Sequence, residues 1–228
     1  MNRNYFIMLV FLLLISAFFI SCNNSAEEPE QETKTIEQKS EMLSIPKDEN
    51  KDRELWQKPE TVVALLGDLQ GKTVADIGAG TGYFTFRMAL KAGKVIAIDI
   101  VPDYLEILDN LKNKLPVEIQ EKIETRLASE NDPKLNKAEA DVIVIINTFS
   151  IINKKIEYLK TTQKGLKKNG KIFIIDFKLK NLPIDAPPIK DRLPINELED
   201  YLGKAGFKNI VTDDTTLEYQ YVVSAENI

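Results

Sequence analysis

The apolar residues of the chain fall into short blocks separated by longer amphipathic stretches. Seven segments between residues 73 and 223 have a strand-like apolar pattern: 73–76, 94–99, 123–127, 142–146, 172–175, 207–212 and 217–223. The runs at 142–146 and 172–175 are almost continuously apolar, which is typical of central parallel strands buried on both faces. The two last segments follow each other closely and predict a terminal pair of strands.

Apolar residues at helical spacing occupy the segments between these strands. Helices are predicted over residues 55–69, from Tyr83, from Pro102, over 154–167 and after Pro194. Asn169-Gly170 predicts the turn that closes the helix over 154–167. Strands that alternate with helices predict an α/β fold with a seven-stranded, mostly parallel sheet flanked by helices and an antiparallel C-terminal strand pair.

The segment after the first strand carries the clearest chemical pattern. The strand ends at Asp76 and is followed by glycines at positions 78, 80 and 82. Glycine adopts backbone angles that other residues resist and lets a ligand approach the main chain closely. The second strand ends in another carboxylate, Asp99. A strand, a glycine loop, a helix, a second strand and an acid indicate the nucleoside-binding half of an α/β domain.

The spacing of the glycines narrows the class of nucleoside. Dinucleotide-binding folds use Gly-x-Gly-x-x-Gly, and this chain has Gly-x-Gly-x-Gly with an acid two positions earlier. It also lacks the Lys and Ser/Thr of a phosphate-binding P-loop. The pattern resembles motif I of the class I S-adenosylmethionine-dependent methyltransferases. The resemblance implies S-adenosyl-L-methionine as the cofactor, its methionine part on the loop and its two ribose hydroxyls on Asp99, since a carboxylate can accept two hydrogen bonds.

The resemblance extends over about residues 52 to 224. Arg53-x-x-Trp56-Gln57-x-Pro59 is similar to a lead-in segment of one group of these enzymes, and 140–149, 171–177 and 205–207 resemble the fourth strand, the fifth strand and the turn before the last hairpin. It implies a Rossmann-like sheet and an adenine contact from the loop 128–132. The cofactor-binding residues that it implies are Asp76, Gly78, Ala79, Gly80, Gly82, Asp99, Ile100, Ser129, Glu130 and Asn147.

The acceptor side of the predicted site is less defined. Methyl transfer is an in-line displacement, so the enzyme mainly holds the donor carbon and the acceptor atom in line. Related enzymes often carry a His pair after the fourth strand, but this chain contains no histidine. Without histidine, and with one cysteine, no metal site is expected. Candidates that line the acceptor pocket are Trp56, Gln57, Asn147, Phe149 and Asp176.

Two functions are consistent with these residues. The first is a methyltransferase that acts on a small-molecule acceptor, with catalytic residues unassigned. The alternative is a catalytically degenerate, membrane-anchored module that binds S-adenosylmethionine or another nucleoside. The net charge of −5, from 30 basic and 35 acidic side chains, gives no basic footprint, so nucleic acid is not an expected partner.

The N-terminal residues predict export. Arg3 precedes a charge-free apolar run, residues 5–20, which is short for a spanning helix and fits a signal peptide. The run ends in Phe19-Ile20-Ser21-Cys22, which resembles a bacterial lipobox. The resemblance implies a signal peptide over 1–21, a lipidated Cys22 and a lipoprotein anchored to a membrane of the bacterial cell envelope. Its domain is then expected outside the cytoplasm; the alternative is an uncleaved anchor with a cytosolic domain.

The remaining boundaries follow from composition. Residues 23–50 are rich in Glu, Gln, Ser, Asn and Lys, and such composition buries too little apolar surface to order itself. We predict a disordered acidic tether there. Residues 51–228 then form the methyltransferase-like domain.

Overall fold

A computed structural model describes residues 51–228, without the side chain of Lys51, and the single residue Lys34. The predicted signal peptide and Cys22 lie outside the described residues, as does the tether apart from Lys34. Seven strands form one sheet. Their bounds are Thr73–Ile77 (β1), Lys94–Asp99 (β2), Ile123–Leu127 (β3), Ala140–Ile146 (β4), Leu166–Phe177 (β5), Lys208–Asp213 (β6) and Gln220–Glu226 (β7).

The helices of the described chain lie between these strands. Their bounds are Lys51–Gln57 (α1), Pro59–Leu65 (α2), Thr85–Ala89 (α3), Pro102–Lys112 (α4), Val117–Gln120 (α5), Lys155–Gly165 (α6) and Ile195–Ala205 (α7), with short 3-10 turns at Phe149–Ile151 and Ile189–Asp191. Within the described residues, no helix combines the length and apolar character needed to cross a membrane.

The strand order β3-β2-β1-β4-β5-β7-β6 confirms the predicted fold class. Strands β1 to β5 are parallel to one another, and β7 runs antiparallel to both β5 and β6. From β1 the strand order continues outward to β2 and β3, and from β4 it continues in the opposite direction to β5. The order therefore reverses between β1 and β4. In such sheets the carboxyl ends of the strands at the reversal border a crevice that binds ligands.

The sheet separates two hydrophobic layers. Along β4, Val142, Val144 and Ile146 face one layer, and Ile143 and Ile145 face the other. This alternation is the period-two geometry of a strand. Since both faces are covered, the central strands read as continuous apolar runs in the sequence.

The predicted helix over 55–69 is instead two short helices. Lys58, between α1 and α2, has φ 48°, a left-handed conformation that ends the first helix. Pro59 then starts the second, where its missing N–H costs no hydrogen bond.

Two other boundaries differ from the prediction. The helix after the glycine loop begins at Thr85 and not at Tyr83, because the chain completes a turn first, with the Gly82 N–H bonded to the Ala79 carbonyl at 3.0 Å. Asn169-Gly170 lies inside β5 and does not simply end a helix. Asn169 has φ 62°, and the pairing with β4 shifts register there, so the turn signal marks an irregularity within the strand.

Candidate functional site

Two adjoining cavities open at the carboxyl ends of the central strands. The larger has a volume of about 380 Å³ and the smaller about 220 Å³. Gly78, Gly80 and Thr148 line both, so the glycine loop forms the boundary between them. The residues that line only the larger cavity are Ile77, Ile98, Asp99, Ile100, Val101, Tyr104, Ala128, Ser129, Glu130, Ile151, Ile152, Asn153 and Tyr158.

The larger cavity has mostly apolar walls and one buried carboxylate. Asp99 is 8% exposed; its Oδ2 accepts a hydrogen bond from the Gly80 N–H at 2.8 Å and its Oδ1 accepts one from the Val101 N–H at 3.0 Å. Each carboxylate oxygen has a second lone pair for a ligand donor. Asp99 can therefore hold the glycine loop and, at the same time, bind a pair of ligand hydroxyls. Ser129 and Glu130, from the loop after β3 in which the adenine contact is predicted, line the same cavity.

The smaller cavity is polar. Arg53, Asp76, Tyr83 and Asn147 line it together with the glycine loop. Asp76 is 2% exposed and accepts a hydrogen bond from the Thr85 hydroxyl at 2.6 Å. Burial raises the pKa of Asp76 to about 6; the bond from Thr85 opposes this shift, and the nearby charge of Asp99 adds to it. A carboxylate in this position favours a cationic ligand group.

Tyr83 stands between two guanidinium groups. The Arg53 guanidinium carbon lies 4.0 Å from the centre of the ring, and that of Arg87 lies 4.3 Å from it. The face of an aromatic ring attracts cations, so both guanidinium groups stabilise the position of the Tyr83 ring. The Tyr83 hydroxyl is buried and has no hydrogen-bond partner among the described residues. Burial raises the pKa of Tyr83, which keeps the group a neutral O–H donor.

A buried ion cluster joins the helices beneath this ring. Arg87 is 2% exposed and donates to Glu54 at 2.8 Å, to Glu60 at 3.0 Å and to the Tyr83 carbonyl at 2.7 Å. Buried charges require such pairing to offset the loss of hydration. The cluster fixes α1 and α2 against α3, and therefore holds Arg53 at the smaller cavity.

A chain of hydrogen bonds runs from Arg53 to the end of β4. Arg53 Nε donates to Gln57 Oε1 at 2.7 Å, Gln57 Nε2 donates to Gln220 Oε1 at 3.2 Å, and Gln220 Nε2 donates to Asn147 Oδ1. Because a guanidinium only donates, it sets the orientation of each amide in turn. At the end of this chain, the amide nitrogen of Asn147 remains as a donor for a ligand. Asn147 itself has φ 56°, so its backbone turns sharply as β4 ends.

The first glycine of the loop, Gly78, is required because the Thr148 side chain lies too close to leave room for a Cβ. A Cβ at Gly78 would lie 2.2 Å from the Thr148 hydroxyl oxygen, and the residue has φ 81°. Gly82, also predicted to bind the cofactor, lines neither cavity. A Cβ there would lie 2.6 Å from the Phe86 ring, so this glycine lets the helix pack.

The acceptor-pocket candidates are not brought together. Asn147 lines the smaller cavity, and the buried Gln57 reaches it only through the hydrogen-bond chain. Phe149 is fully buried in the core, and Asp176 accepts hydrogen bonds from the backbone N–H groups of Ser150 and Phe177. Neither lines either cavity, and both positions have a packing role. Trp56 is partly buried, with its ring centre 5.8 Å from that of Phe177.

Several residues of the site carry no signal that marks them in the sequence. Gln220 is 163 positions from Gln57, and only the folded sheet brings the two side chains together. Arg53 belongs to the lead-in segment, but nothing in that segment assigns it to a cavity. Among residues 51–228, no group of three or more His, Cys, Asp or Glu side chains is placed to hold a metal ion. The lining residues that the sequence did not identify are Arg53, Ile77, Thr81, Tyr83, Phe84, Ile98, Val101, Tyr104, Ile146, Thr148, Ile151, Ile152, Asn153 and Tyr158.

Comparison with known proteins identifies relatives of this domain. Phosphoethanolamine N-methyltransferase 1 of Triticum aestivum is 30% identical over 128 residues, which are 54% of this chain and 25% of that protein. Demethylmenaquinone methyltransferase of Lactococcus lactis is 27% identical over 175 residues, or 75% of this chain and 64% of that protein. The chain thus spans between a quarter and about two thirds of the length of these relatives.

Solved structures share the fold. A structure described as a SAM dependent methyltransferase from Aquifex aeolicus superposes with a TM-score of 0.70 at 22% identity, covering 86% of this chain and 98% of that one. The family model described as "Methyltransferase domain" matches residues 68–219. This match includes the glycine loop, Asp99 and the end of β4. The chain therefore belongs to the methyltransferase-domain family.

Proposed function

We propose that this protein is an S-adenosylmethionine-dependent methyltransferase that acts on a small-molecule acceptor. The observation that carries the proposal is the pair of cavities joined at the glycine loop. The larger offers apolar walls and the carboxylate of Asp99, which suit a nucleoside. The smaller offers the buried carboxylate of Asp76, which suits the cationic amino group of an amino acid.

The residues present fit this cofactor on physical grounds. Tyr104 and Ile151 are 46% and 73% exposed at the mouth of the larger cavity, where a flat base would cover their apolar surface. Asp99 would accept hydrogen bonds from the ribose hydroxyls. The bare backbone at Gly78 and Gly80 would admit the chain that joins the two halves of the cofactor. These roles agree with those that the family resemblance implies.

The cofactor supplies an electrophilic methyl group when bound. The protein's own residues then have to orient the acceptor and exclude water, since alignment of the reacting atoms accounts for a large share of the barrier in such a displacement. Asn147 is the predicted acceptor-side residue that lines a cavity. Its oriented amide nitrogen is a donor, and it would hold an oxygen of the acceptor in place.

The names of the relatives and the charge of the chain support a small acceptor. The names of relatives refer to phosphoethanolamine, demethylmenaquinone, magnesium-protoporphyrin and tRNA U34. This chain has a net charge of −5, which opposes contact with a polyanion. We therefore favour a small molecule over tRNA.

A second function is favoured by one observation. Of the five predicted acceptor-pocket residues, four line neither of the two cavities, namely Trp56, Gln57, Phe149 and Asp176, and the chain has no histidine to act as a base. A module that binds the cofactor without turnover would need only the two cavities. The assay below separates the two functions.

The test is methyl transfer by the purified protein. Incubation with S-adenosylmethionine labelled on its methyl group, and with panels of amines, thiols and hydroxyl compounds, is expected to yield S-adenosylhomocysteine and a labelled acceptor. The Asp99→Ala variant is the control and is expected to lose the reaction. Binding of the cofactor without transfer to any acceptor would favour the binding module.

We further propose that the protein is a lipoprotein of a bacterial cell envelope, lipidated at Cys22. The apolar run at 5–20 and the lipobox-like residues that end at Cys22 support this proposal. Mass spectrometry of the membrane fraction is expected to find a mature chain that begins at a lipidated Cys22. A chain that retains residues 1–21 would support the uncleaved anchor instead. Cys22→Ser is the matched control and is expected to leave the signal peptide attached.

A further inference from the structure

The loop after β4, residues 148–153, forms one wall of the larger cavity. Two left-handed residues bracket this loop, Asn147 with φ 56° and Lys154 with φ 46°. Residues other than glycine seldom adopt this conformation, so contacts with the surrounding structure have to hold both ends of the loop. The residues of the loop that line the cavity are Thr148, Ile151, Ile152 and Asn153.

Two ionisable side chains that line neither cavity bond to the backbone of this loop. Asp176, near the end of β5, accepts a hydrogen bond from the Ser150 N–H through Oδ2 at 3.2 Å. Lys155, the first residue of α6, donates from Nζ to the Ser150 carbonyl at 2.9 Å and to the Ile152 carbonyl at 2.7 Å. The loop is therefore held through one N–H and two carbonyl groups.

Both side chains occupy positions that are unfavourable for their charge. Asp176 is 1% exposed, and burial raises its pKa, which two backbone N–H groups and the charge of Lys155 oppose. Lys155 places a cation at the positive end of α6. Burial lowers the pKa of Lys155, and the charges of Asp176 and Glu197 oppose that shift. Residues that break local rules in this way are expected where they have a further role.

We propose that Asp176 and Lys155 are positioning residues that hold the 148–153 loop as a preformed wall of the larger cavity and thereby set the affinity for the nucleoside. The proposal rests on the proposed function, because the nucleoside is part of the proposed cofactor. Neither side chain lines the cavity, so both act through the loop backbone. Because the loop is already ordered, binding of the ligand does not have to offset the entropy of ordering it.

Hydrogen exchange of the ligand-free protein tests whether the pair holds the loop. In Lys155→Met and Asp176→Ala, the amides of residues 150–153 are expected to exchange roughly tenfold faster or more, the loss typical of a hydrogen bond to a charged group. Lys122→Met is the matched control, because Lys122 also donates to a backbone carbonyl, that of Ala89 at 3.3 Å, and lines neither cavity. Unchanged exchange of the loop in both variants would overturn the proposal.

Calorimetry measures the effect on binding. Lys155→Met is expected to weaken S-adenosylhomocysteine and adenosine by similar factors of roughly ten, because the loop borders the nucleoside half of the ligand. Lys155→Arg keeps a cationic donor and should restore most of the affinity, whereas Lys122→Met should change neither ligand. A loss for S-adenosylhomocysteine with adenosine unchanged would place the effect at the smaller cavity and overturn the proposal.

A double-mutant cycle with Ile151 separates positioning from a general loss of stability. Ile151→Ala is expected to weaken S-adenosylhomocysteine about fivefold in the unsubstituted protein and less than about twofold in Lys155→Met, since a released loop no longer places Ile151 over the ligand. In the Lys122→Met background the full effect should persist. An equal effect of Ile151→Ala in all three backgrounds would overturn the positioning role, even if Lys155→Met lowers the midpoint of thermal unfolding.

Failure of the proposed function gives a different result. If the unsubstituted protein binds neither S-adenosylhomocysteine nor adenosine, the proposed function fails and the role of the pair in binding fails with it. The exchange rates of the loop then still decide whether Asp176 and Lys155 hold it in place.

Discussion

The two cavities differ in how they are built. The larger is lined mainly by aliphatic side chains from the ends of β1 and β2 and from the loops after β2, β3 and β4, and by Tyr104 of α4 and Tyr158 of α6. The smaller depends on ionised and amide groups that come from α1, β1, the loop after β4 and, behind them, β7. The larger cavity offers apolar surface and one carboxylate, whereas the smaller offers charged groups in fixed orientations.

This difference determines how each region responds to substitution. Apolar contacts contribute in proportion to the area buried, so single truncations in the larger cavity have modest effects. Buried polar groups act in networks, so removal of one leaves its partners unsatisfied. We expect substitutions at the boundary between the cavities to have the largest effect, because they disturb both.

The largest effect is expected at Gly78, which both cavities share. Gly78→Ala would place a methyl group 2.2 Å from the Thr148 hydroxyl oxygen at φ 81°. The clash and the left-handed backbone together should cost about 3 kcal/mol or more of unfolding free energy, measured by urea denaturation. Gly67→Ala is the control: it has φ 77° but no atom within 4 Å, so it should show only the smaller backbone cost. Equal losses at the two sites would contradict the close contact with Thr148.

The next largest effect is expected at Asp99, because it lines the larger cavity and accepts a hydrogen bond from the glycine loop. Asp99→Asn should weaken S-adenosylhomocysteine by about 1.5–3 kcal/mol, since it replaces a charged acceptor with a neutral amide. Calorimetry measures the loss. Asp103→Asn, on the exposed first turn of α4, removes the same charge nearby and should leave binding unchanged. Similar losses in both variants would mean that net charge, not the contact of Asp99, determines affinity.

Asp76 gives the smaller cavity a dependence on pH. Its pKa of about 6 in the folded protein is above the ordinary value of 3.8, so this group's contribution to stability is present below about pH 3.8 and is lost as pH rises to 6. A cationic ligand group favours the ionised form, so affinity for S-adenosylhomocysteine should rise about tenfold from pH 5 to 7. Asp76→Asn should flatten this profile and stabilise the ligand-free protein at pH 7. A profile of the same slope in the variant would assign the titration to another group.

The smallest effect is expected at the apolar mouth. Ile151→Ala should weaken S-adenosylhomocysteine by about 1 kcal/mol and leave stability unchanged, because Ile151 is 73% exposed without ligand. Val211, 62% exposed on β6 and outside both cavities, gives the matched control Val211→Ala. If Ile151→Ala leaves the affinity unchanged, the base does not cover this side chain.

The fold could be predicted because local patterns determine it. The run at 94–99 matches β2 in full, since burial on both faces leaves a nearly continuous apolar signal. The segment 123–127 matches β3, an edge strand in which polar residues stand between Ile123 and Leu127. The break at Lys58 was missed because the apolar spacing continues across it; its marker is Pro59, since a proline within a helical pattern disfavours the helical conformation of the preceding residue. Asn169-Gly170 was predicted as a plain turn because the sequence does not show that Asn227 pairs with it, accepting from the Asn169 N–H at 2.6 Å.

The candidate site also contains residues that local sequence patterns predict and residues that they do not. Asp76, Gly78, Gly80 and Asp99 lie in one short stretch of sequence with a recognisable spacing, and the structure places them together. Tyr83 and Gln220 were missed because their importance depends on contacts, one on an unsatisfied hydroxyl and the other on a partner far away in the chain. Contacts of this kind cannot be recovered from local spacing.

The most direct test of the account is calorimetric titration of the purified protein with S-adenosylhomocysteine, followed by adenosine and methionine separately. We predict that one molecule of S-adenosylhomocysteine binds per chain, more tightly than either half, because it fills both cavities. Absence of binding by S-adenosylhomocysteine and S-adenosylmethionine alike would contradict the account.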